Sequence, residues 1–172
     1  MNDAAKYLEQ VRSELGDSWL SQVYVQRVLK LRTRVYDFPA LPKNAAPQIH
    51  HTLLGIELKV GRRRMLCPDL ATARYLAVFA RAGCHTVAIP YDITRISLVA
   101  DELESSWHRM LLISERLTAD RDAAFRARIQ RQLIGKVRDE IANAGAGPRV
   151  PEFKRRTEPQ KGPSSTKGNA SR

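Results

Sequence analysis

The sequence predicts an α/β protein. Apolar residues recur at helical spacing towards both ends of the chain, whereas residues 48–67 alternate as strands do. The order of these segments indicates a small mixed sheet, built from a hairpin, a helix and one more strand, with helices flanking it on both sides. After residue 144 the composition shifts to Pro, Gly, Ser, Lys and Arg, which is typical of a disordered tail. We therefore predict one domain over residues 1–143 and a disordered basic tail over residues 144–172.

Two helices are predicted at the N-terminal end. Residues 2–15 place their apolar side chains on one face, and Gly16 ends that helix. Asp17 and Ser18 are candidate N-caps for a second helix over residues 19–32. The apolar stripe of the second helix consists of Trp19, Leu20, Val23, Tyr24, Val28 and Leu31.

The middle of the chain is predicted to be extended. A short strand over residues 35–38 precedes a proline-rich loop. From Gln48 to Val60 the apolar pattern is that of a strand. Gly61 and Arg62 form a turn, from which residues 63–67 return antiparallel to complete a hairpin.

The second half of the chain alternates helix and strand. Pro68 and Asp69 suit the first turn of a helix that ends at Gly83. An apolar run over residues 84–89 predicts a buried strand, which Pro90 closes.

Two long helices are predicted to complete the domain. Asp92 or Thr94 caps a helix over residues 95–117, and Thr118 caps the last helix. The last helix has a narrow apolar stripe that packs either on the domain or on another chain. That stripe consists of Phe125, Ile129, Leu133, Val137 and Ile141.

The charge of the chain favours a polyanionic partner. Lys and Arg total 29 against 18 Asp and Glu, a formal net charge of +11. We predict nucleic acid, either DNA or RNA, as that partner, whereas the bland alternative is a basic soluble protein. We predict no membrane association, because no apolar run is long enough to span a bilayer. The two cysteines and the absence of a signal-peptide pattern indicate a cytoplasmic protein.

Three groups of cations are candidate phosphate ligands, since guanidinium and ammonium groups bind phosphate oxygens. They lie at the predicted hairpin turn, on the last helix and in the tail. The candidates are Arg62, Arg63, Arg64, Arg128, Arg131, Lys154, Arg155 and Arg156. The alternative for each group is ordinary solvated charge.

Glu57 and Lys59 are candidate catalytic residues. Two apart in a strand, they point to the same face, where they can hold a divalent metal and a phosphate if the face opens to solvent. Otherwise they are a surface ion pair. The stretch Ile56-Glu57-Leu58-Lys59, with the helix and apolar strand after it, resembles the core of PD-(D/E)xK nucleases, in particular Holliday-junction resolvases, over about residues 52–93.

That resemblance implies a Mg²⁺-dependent endonuclease. By the family pattern, Glu57 and Asp37 are the metal ligands and Lys59 orients water or stabilises charge on the phosphate. A further glutamate from the N-terminal helix, Glu9 or Glu14, completes the implied site.

The sequence leaves two functions from different classes open. The first is phosphate-driven nucleic-acid binding, with or without cleavage. The second is a non-catalytic interaction or assembly factor, which binds a protein partner or a second copy through the last helix. Zinc is not favoured, because the histidines and cysteines lack ligand spacing. Cys67 and Cys84 are predicted to lie in the core.

Overall fold

The computed structural model describes residues 3–43 and 45–147, and its architecture confirms the α/β class. The helices of this part of the chain are α1 (Asp3–Leu15), α2 (Leu20–Val23), α3 (Leu70–Ala82), α4 (Ile93–Leu117) and α5 (Ala123–Ala144). The strands are β1 (Thr33–Asp37), β2 (Gln48–Thr52), β3 (Gly55–Val60), β4 (Arg63–Cys67) and β5 (Thr86–Pro90). They form two antiparallel sheets instead of one mixed sheet: β1 pairs with β5, and β2–β3–β4 is a meander.

The second N-terminal helix is shorter and less regular than predicted. Gly16–Ser18 is a single 3₁₀ turn, α2 follows it, and the chain then continues as a π-helical segment over Tyr24–Val28. The prediction that Asp17 or Ser18 caps this helix is wrong. Trp19 occupies the N-cap position with an extended backbone and without a side-chain cap.

Helix α3 lies at the centre of the core, where it packs on α4, α5 and the three-stranded sheet. Asp69 is its N-cap, since its carboxylate accepts a hydrogen bond from the Thr72 backbone N–H at 2.7 Å. Pro68 therefore precedes the helix instead of opening it. Gly83 ends the helix in the left-handed conformation (φ 75°), as predicted.

Two buried tyrosines form hydrogen bonds with the backbone of Ala88 on the edge of β5 that faces away from β1. The Tyr24 hydroxyl accepts the backbone N–H of Ala88 at 3.0 Å, and the Tyr75 hydroxyl donates to the Ala88 carbonyl at 2.5 Å. Tyr24 also donates to the Gly145 carbonyl at 2.7 Å. These bonds take the place of a neighbouring strand at Ala88, so the backbone N–H and carbonyl of this buried residue are both paired.

The apolar stripe of α5 packs on the domain itself. Ile129, Leu133, Val137 and Ile141 are buried and Phe125 is half-buried. Because the stripe is already covered, it is not the surface through which a partner or a second copy would bind. The cap of α5 is Asp122, whose carboxylate accepts from the Phe125 N–H, and the prediction of Thr118 is wrong.

The described chain ends shortly after α5. Ala144 still belongs to the helix, and residues 145–147 follow it. The predicted tail lies outside the described residues from residue 148 onward. Within the described part, no helix is long and apolar enough to cross a membrane.

Candidate nucleic-acid interface

The three-stranded sheet has one buried face and one face open to solvent. Leu58, Val60 and Met65 are buried on the side of α3. Because side chains alternate along a strand, Glu57 and Lys59 lie on the opposite face, where both are half-buried. The two side chains therefore share the solvent side.

Strand register decides which residues surround this pair. Glu57 lies opposite His50 on β2 and Leu66 on β4, and Lys59 lies opposite Gln48 and Arg64. We call this surface the solvent face. It comprises Gln48, His50, Thr52, Glu57, Lys59, Arg64 and Leu66.

Five cations gather at the end of the sheet that carries the β3–β4 turn. Four come from the hairpin, and a fifth comes from the proline-rich loop, because Pro42 packs on Gly61. A Cβ atom built on Gly61 would lie 2.5 Å from Pro42 Cγ, which shows how closely the loop approaches the turn. We call this group the hairpin cluster: Lys43, Lys59, Arg62, Arg63 and Arg64.

The hairpin cluster carries charge that the described residues do not balance. Within residues 3–43 and 45–147, none of its members forms an ion pair, whereas Arg74 pairs with Asp101 at 2.5 Å and with Glu104 at 2.8 Å. Glu57 is the one carboxylate within strands β2, β3 and β4. This end of the sheet is therefore strongly positive.

Helix α5 forms a second basic surface, separate from the hairpin cluster, since it packs on the other helices and β5. Arg128 lies over the Phe125 ring, 5.0 Å from its centroid, and neither Arg128 nor Arg131 forms an ion pair in the described part of the chain. Arg138 is different, because it lies beside Gly83 at the carboxyl end of α3, where a cation stabilises the helix dipole. Lys154, Arg155 and Arg156 lie outside the described residues.

The residues implied for a metal site are not brought into one sheet. Asp37 belongs to β1, where it accepts a hydrogen bond from Thr86 Oγ1 at 2.8 Å, whereas Glu57 belongs to β3. The strand before Glu57 contains no carboxylate and presents His50 to it. Among the residues that the structure describes, no group of three or more His, Cys, Asp and Glu side chains is placed to hold a metal.

The glutamates of α1 are occupied by structural ion pairs. Glu9 accepts from Lys136 Nζ at 2.9 Å, which lowers the pKa of its carboxyl, and Glu14 pairs with Arg116. These contacts join α1 to α5 and α4. The magnesium site stays a prediction from the sequence, and we derive no hydrolytic step from these residues.

Comparison with known families, curated proteins and solved structures finds no match. The resemblance to PD-(D/E)xK nucleases therefore stays a prediction as well. Function has to be argued from the geometry and charge of the described surface.

The two cysteines are buried and not bonded to each other. Burial raises the pKa of Cys84 to about 12 and also raises the pKa of Cys67. The thiolate is the reactive form, so these side chains are packing residues and not nucleophiles at neutral pH. Their predicted place in the core is confirmed.

One cleft of the described surface is polar, with two arginines and three carboxylates in its lining. It has a volume of about 450 Å³ and lies between the π-helical segment and α4. Arg27 faces Glu102 at 3.3 Å, and Arg109 donates to the Ser18 hydroxyl at 3.2 Å. Because its cations already have partners, the cleft is a weaker candidate for an anion site than the hairpin cluster.

Two features of the interface were missed in the sequence. Lys43 carries no local signal, since only the packing of Pro42 on Gly61 brings it to the cluster. The second is a hairpin turn at Leu53 and Leu54, which splits the segment predicted as one strand into β2 and β3. Gly55 is the one local hint of that turn.

Proposed function

We propose that this protein binds nucleic acid through its phosphates and that the hairpin cluster is the principal contact. The observation that carries the proposal is the gathering of five cations, unpaired within the described residues, at one end of a sheet that has one face open to solvent. Phosphate contacts release counterions from the polyanion, and that release drives binding.

The side chains of this surface favour contact with the sugar-phosphate backbone of the nucleic acid over recognition of individual bases. Apart from His50 and His51, strands β2, β3 and β4 contain no aromatic ring on which a base can stack. Arginine at a turn contacts phosphate without needing a particular sequence. We therefore expect binding with little sequence preference.

Salt dependence tests the proposal directly. Affinity for a fluorescent duplex is measured at several salt concentrations, for the natural protein and for Arg62→Ala/Arg63→Ala/Arg64→Ala. Each phosphate contact contributes about 0.9 to the slope of log K against log salt, so the triple variant should bind more weakly and with a shallower slope.

A matched control distinguishes the effect of losing the hairpin cluster from the effect of lowering the net charge of the protein. Lys6→Ala/Arg81→Ala/Arg95→Ala removes three exposed cations from α1, α3 and α4, with the same change of charge. The control should keep most of the slope. Equal losses in both variants, or no binding of duplex, single strand or RNA at low salt, would contradict the proposal.

A second candidate function is Mg²⁺-dependent cleavage of the bound nucleic acid. One observation favours it: Glu57 and Lys59 share the solvent face, next to His50 and Arg64. If this candidate is right, Glu57→Ala and Lys59→Ala both abolish cleavage in Mg²⁺. Binding without metal should stay nearly unchanged in Glu57→Ala, whereas Lys59→Ala should also weaken binding by about one phosphate contact, because Lys59 belongs to the hairpin cluster. Cleavage that survives Glu57→Ala, or no cleavage by the natural protein, would contradict it.

A further inference from the structure

The β2–β3 turn exposes two adjacent leucines, which we call the leucine tip. Leu53 is 107% exposed and Leu54 is 80% exposed, at the end of the sheet opposite the hairpin cluster. Leucine side chains left in water forgo the stabilisation that burial of apolar surface gives. Two-residue hairpin turns favour Asn-Gly or Gly-containing pairs, so turn formation does not explain these leucines.

The turn holds the leucine tip in a defined position. The Thr52 hydroxyl accepts the Leu54 backbone N–H at 3.2 Å and donates to the Gly55 carbonyl at 3.0 Å. Gly55 supplies the positive φ (125°) that a side chain would disfavour. The leucines therefore project from a braced turn and do not fold back on the domain.

A third exposed leucine extends the apolar surface along the solvent face. Leu66 is 66% exposed and lies over Gly55, since its Cδ1 would be 3.7 Å from a Cβ atom built there. No element of the described chain covers this surface. The apolar side chains at one end of the sheet suit contact with the stacked bases of duplex DNA. The cations at the other end suit contact with its phosphates.

We propose that the leucine tip is a wedge that enters the minor groove of duplex DNA and opens a base step. This inference rests on the proposed nucleic-acid binding and names the form of the ligand. Apolar wedges such as leucine unstack a step and kink the duplex, and the bend brings more phosphates to the protein. Phosphates held by the hairpin cluster stabilise the bent form.

The length of β3 sets the spacing between the two contacts. Six residues at about 3.3 Å each separate the leucine tip from the basic turn by roughly 20 Å. Successive phosphates of one strand rise about 3.4 Å along the helix axis, so that distance corresponds to roughly six base pairs. The duplex must extend at least that far on one side of the opened step.

Two readouts of DNA shape test the wedge. A duplex with 2-aminopurine at successive positions reports unstacking as a rise in fluorescence, and dyes at its ends report bending by energy transfer. The natural protein should raise the 2-aminopurine signal and bring the ends together. Leu53→Ala/Leu54→Ala should lose both signals but still bind the duplex, because the hairpin cluster is unchanged. Its salt slope should fall only by about 0.9 for each phosphate contact that the bend adds.

The matched control is Leu98→Ala/Leu112→Ala, which removes two leucines of 63% and 64% exposure from α4. It should keep both signals, and thermal unfolding checks that both double variants are folded. Binding by the natural protein without unstacking or bending would overturn the wedge and leave phosphate binding intact. Absence of any binding would overturn both.

Two further outcomes also reject the wedge. Unstacking that persists in Leu53→Ala/Leu54→Ala would place the distortion elsewhere. Light scattering that shows a dimer of the natural protein and a monomer of this variant, with DNA shape unchanged, would identify the leucine tip as a contact between copies.

Discussion

Glu140 joins the last helix to the first elements of the chain. Its carboxylate accepts the Arg12 guanidinium at 2.7 Å, the Trp19 indole N–H at 2.6 Å and the Ser21 hydroxyl. Trp19 is only 1% exposed, so its N–H has no access to bulk water. A single side chain thus satisfies groups from α1, α2 and the residue between them.

Loss of this carboxylate should destabilise the fold. Glu140→Ala leaves the Trp19 N–H and the Ser21 hydroxyl buried without their acceptor, which costs about 1–3 kcal/mol for each such group. We expect the free energy of unfolding in urea to fall by at least that amount. Asp139→Ala, at the exposed neighbouring position, should change it by less than about 0.5 kcal/mol. Equal effects would show that the Glu140 contacts do not stabilise the protein.

The same contacts predict how stability depends on pH. Partial burial raises the pKa of Glu140, but the hydrogen bonds from Ser21 and Trp19 and the charge of Arg12 outweigh it, so the pKa lies below its ordinary value of 4.5. The ionised Glu140 carboxylate therefore contributes its full stabilisation above the ordinary pKa of 4.5. This stabilisation is lost as the pH falls through the lower pKa that the group has in the folded protein.

Comparison with Glu140→Gln isolates this titration, because the other carboxylates are the same in both proteins. The difference in free energy of unfolding between the natural protein and this variant should be constant near neutral pH and shrink below about pH 4.5. A difference that stays constant down to acid unfolding would show that Glu140 has no lowered pKa.

At the scale of elements, the β3–β4 turn depends on a glycine for two reasons. Gly61 has a positive φ of 60°, and a Cβ atom there would lie 2.5 Å from Pro42 Cγ. Gly61→Ala therefore combines backbone strain with a clash against the proline-rich loop. Gly16 has a similar φ of 52° with nothing within 4 Å of a Cβ atom, so Gly16→Ala carries the strain alone.

The pair of variants separates the two costs. Gly16→Ala should lose about 1–2 kcal/mol of unfolding free energy from the left-handed backbone. Gly61→Ala should lose about 1–3 kcal/mol more through overpacking, and it should also weaken DNA binding, because the loop that carries Lys43 must move. Urea denaturation and DNA titration measure both. Equal losses of unfolding free energy in the two variants would mean that the proline-rich loop moves away from the added methyl group without destabilising the protein.

At the scale of the whole molecule, positive charge is divided between the described domain and the chain that follows it. Residues 148–172 contain seven basic and two acidic residues, a net charge of +5, which leaves +6 for the remainder. The hairpin cluster lies within that remainder. The proposed function therefore predicts binding without the C-terminal segment.

A protein that ends at Gly147 should keep its thermal midpoint and still bind DNA. Its affinity should be lower and its salt slope shallower, by about 0.9 for each phosphate contact that the segment makes. Complete loss of binding in the shortened protein, with the fold intact, would place the contact in residues 148–172. An unchanged slope would show that the segment makes no phosphate contacts.

Local chemistry was enough to predict much of this fold. Apolar spacing predicted α1, α3, α4 and α5, and Gly83 marked the end of α3, because these signals act within a few residues. Alternation also placed Glu57 and Lys59 on one face of a strand. The positive charge was evident from composition alone.

Only the tertiary structure decided the rest, because it depends on contacts between distant residues. The pairing of β1 with β5 separates Asp37 from Glu57, and the packing of Pro42 on Gly61 adds Lys43 to the hairpin cluster. Leu53 and Leu54 are apolar, so periodicity assigned them to a strand interior. In the folded protein they form a turn, since strand pairing brings Thr52 opposite Gly55 and leaves both leucines in solvent.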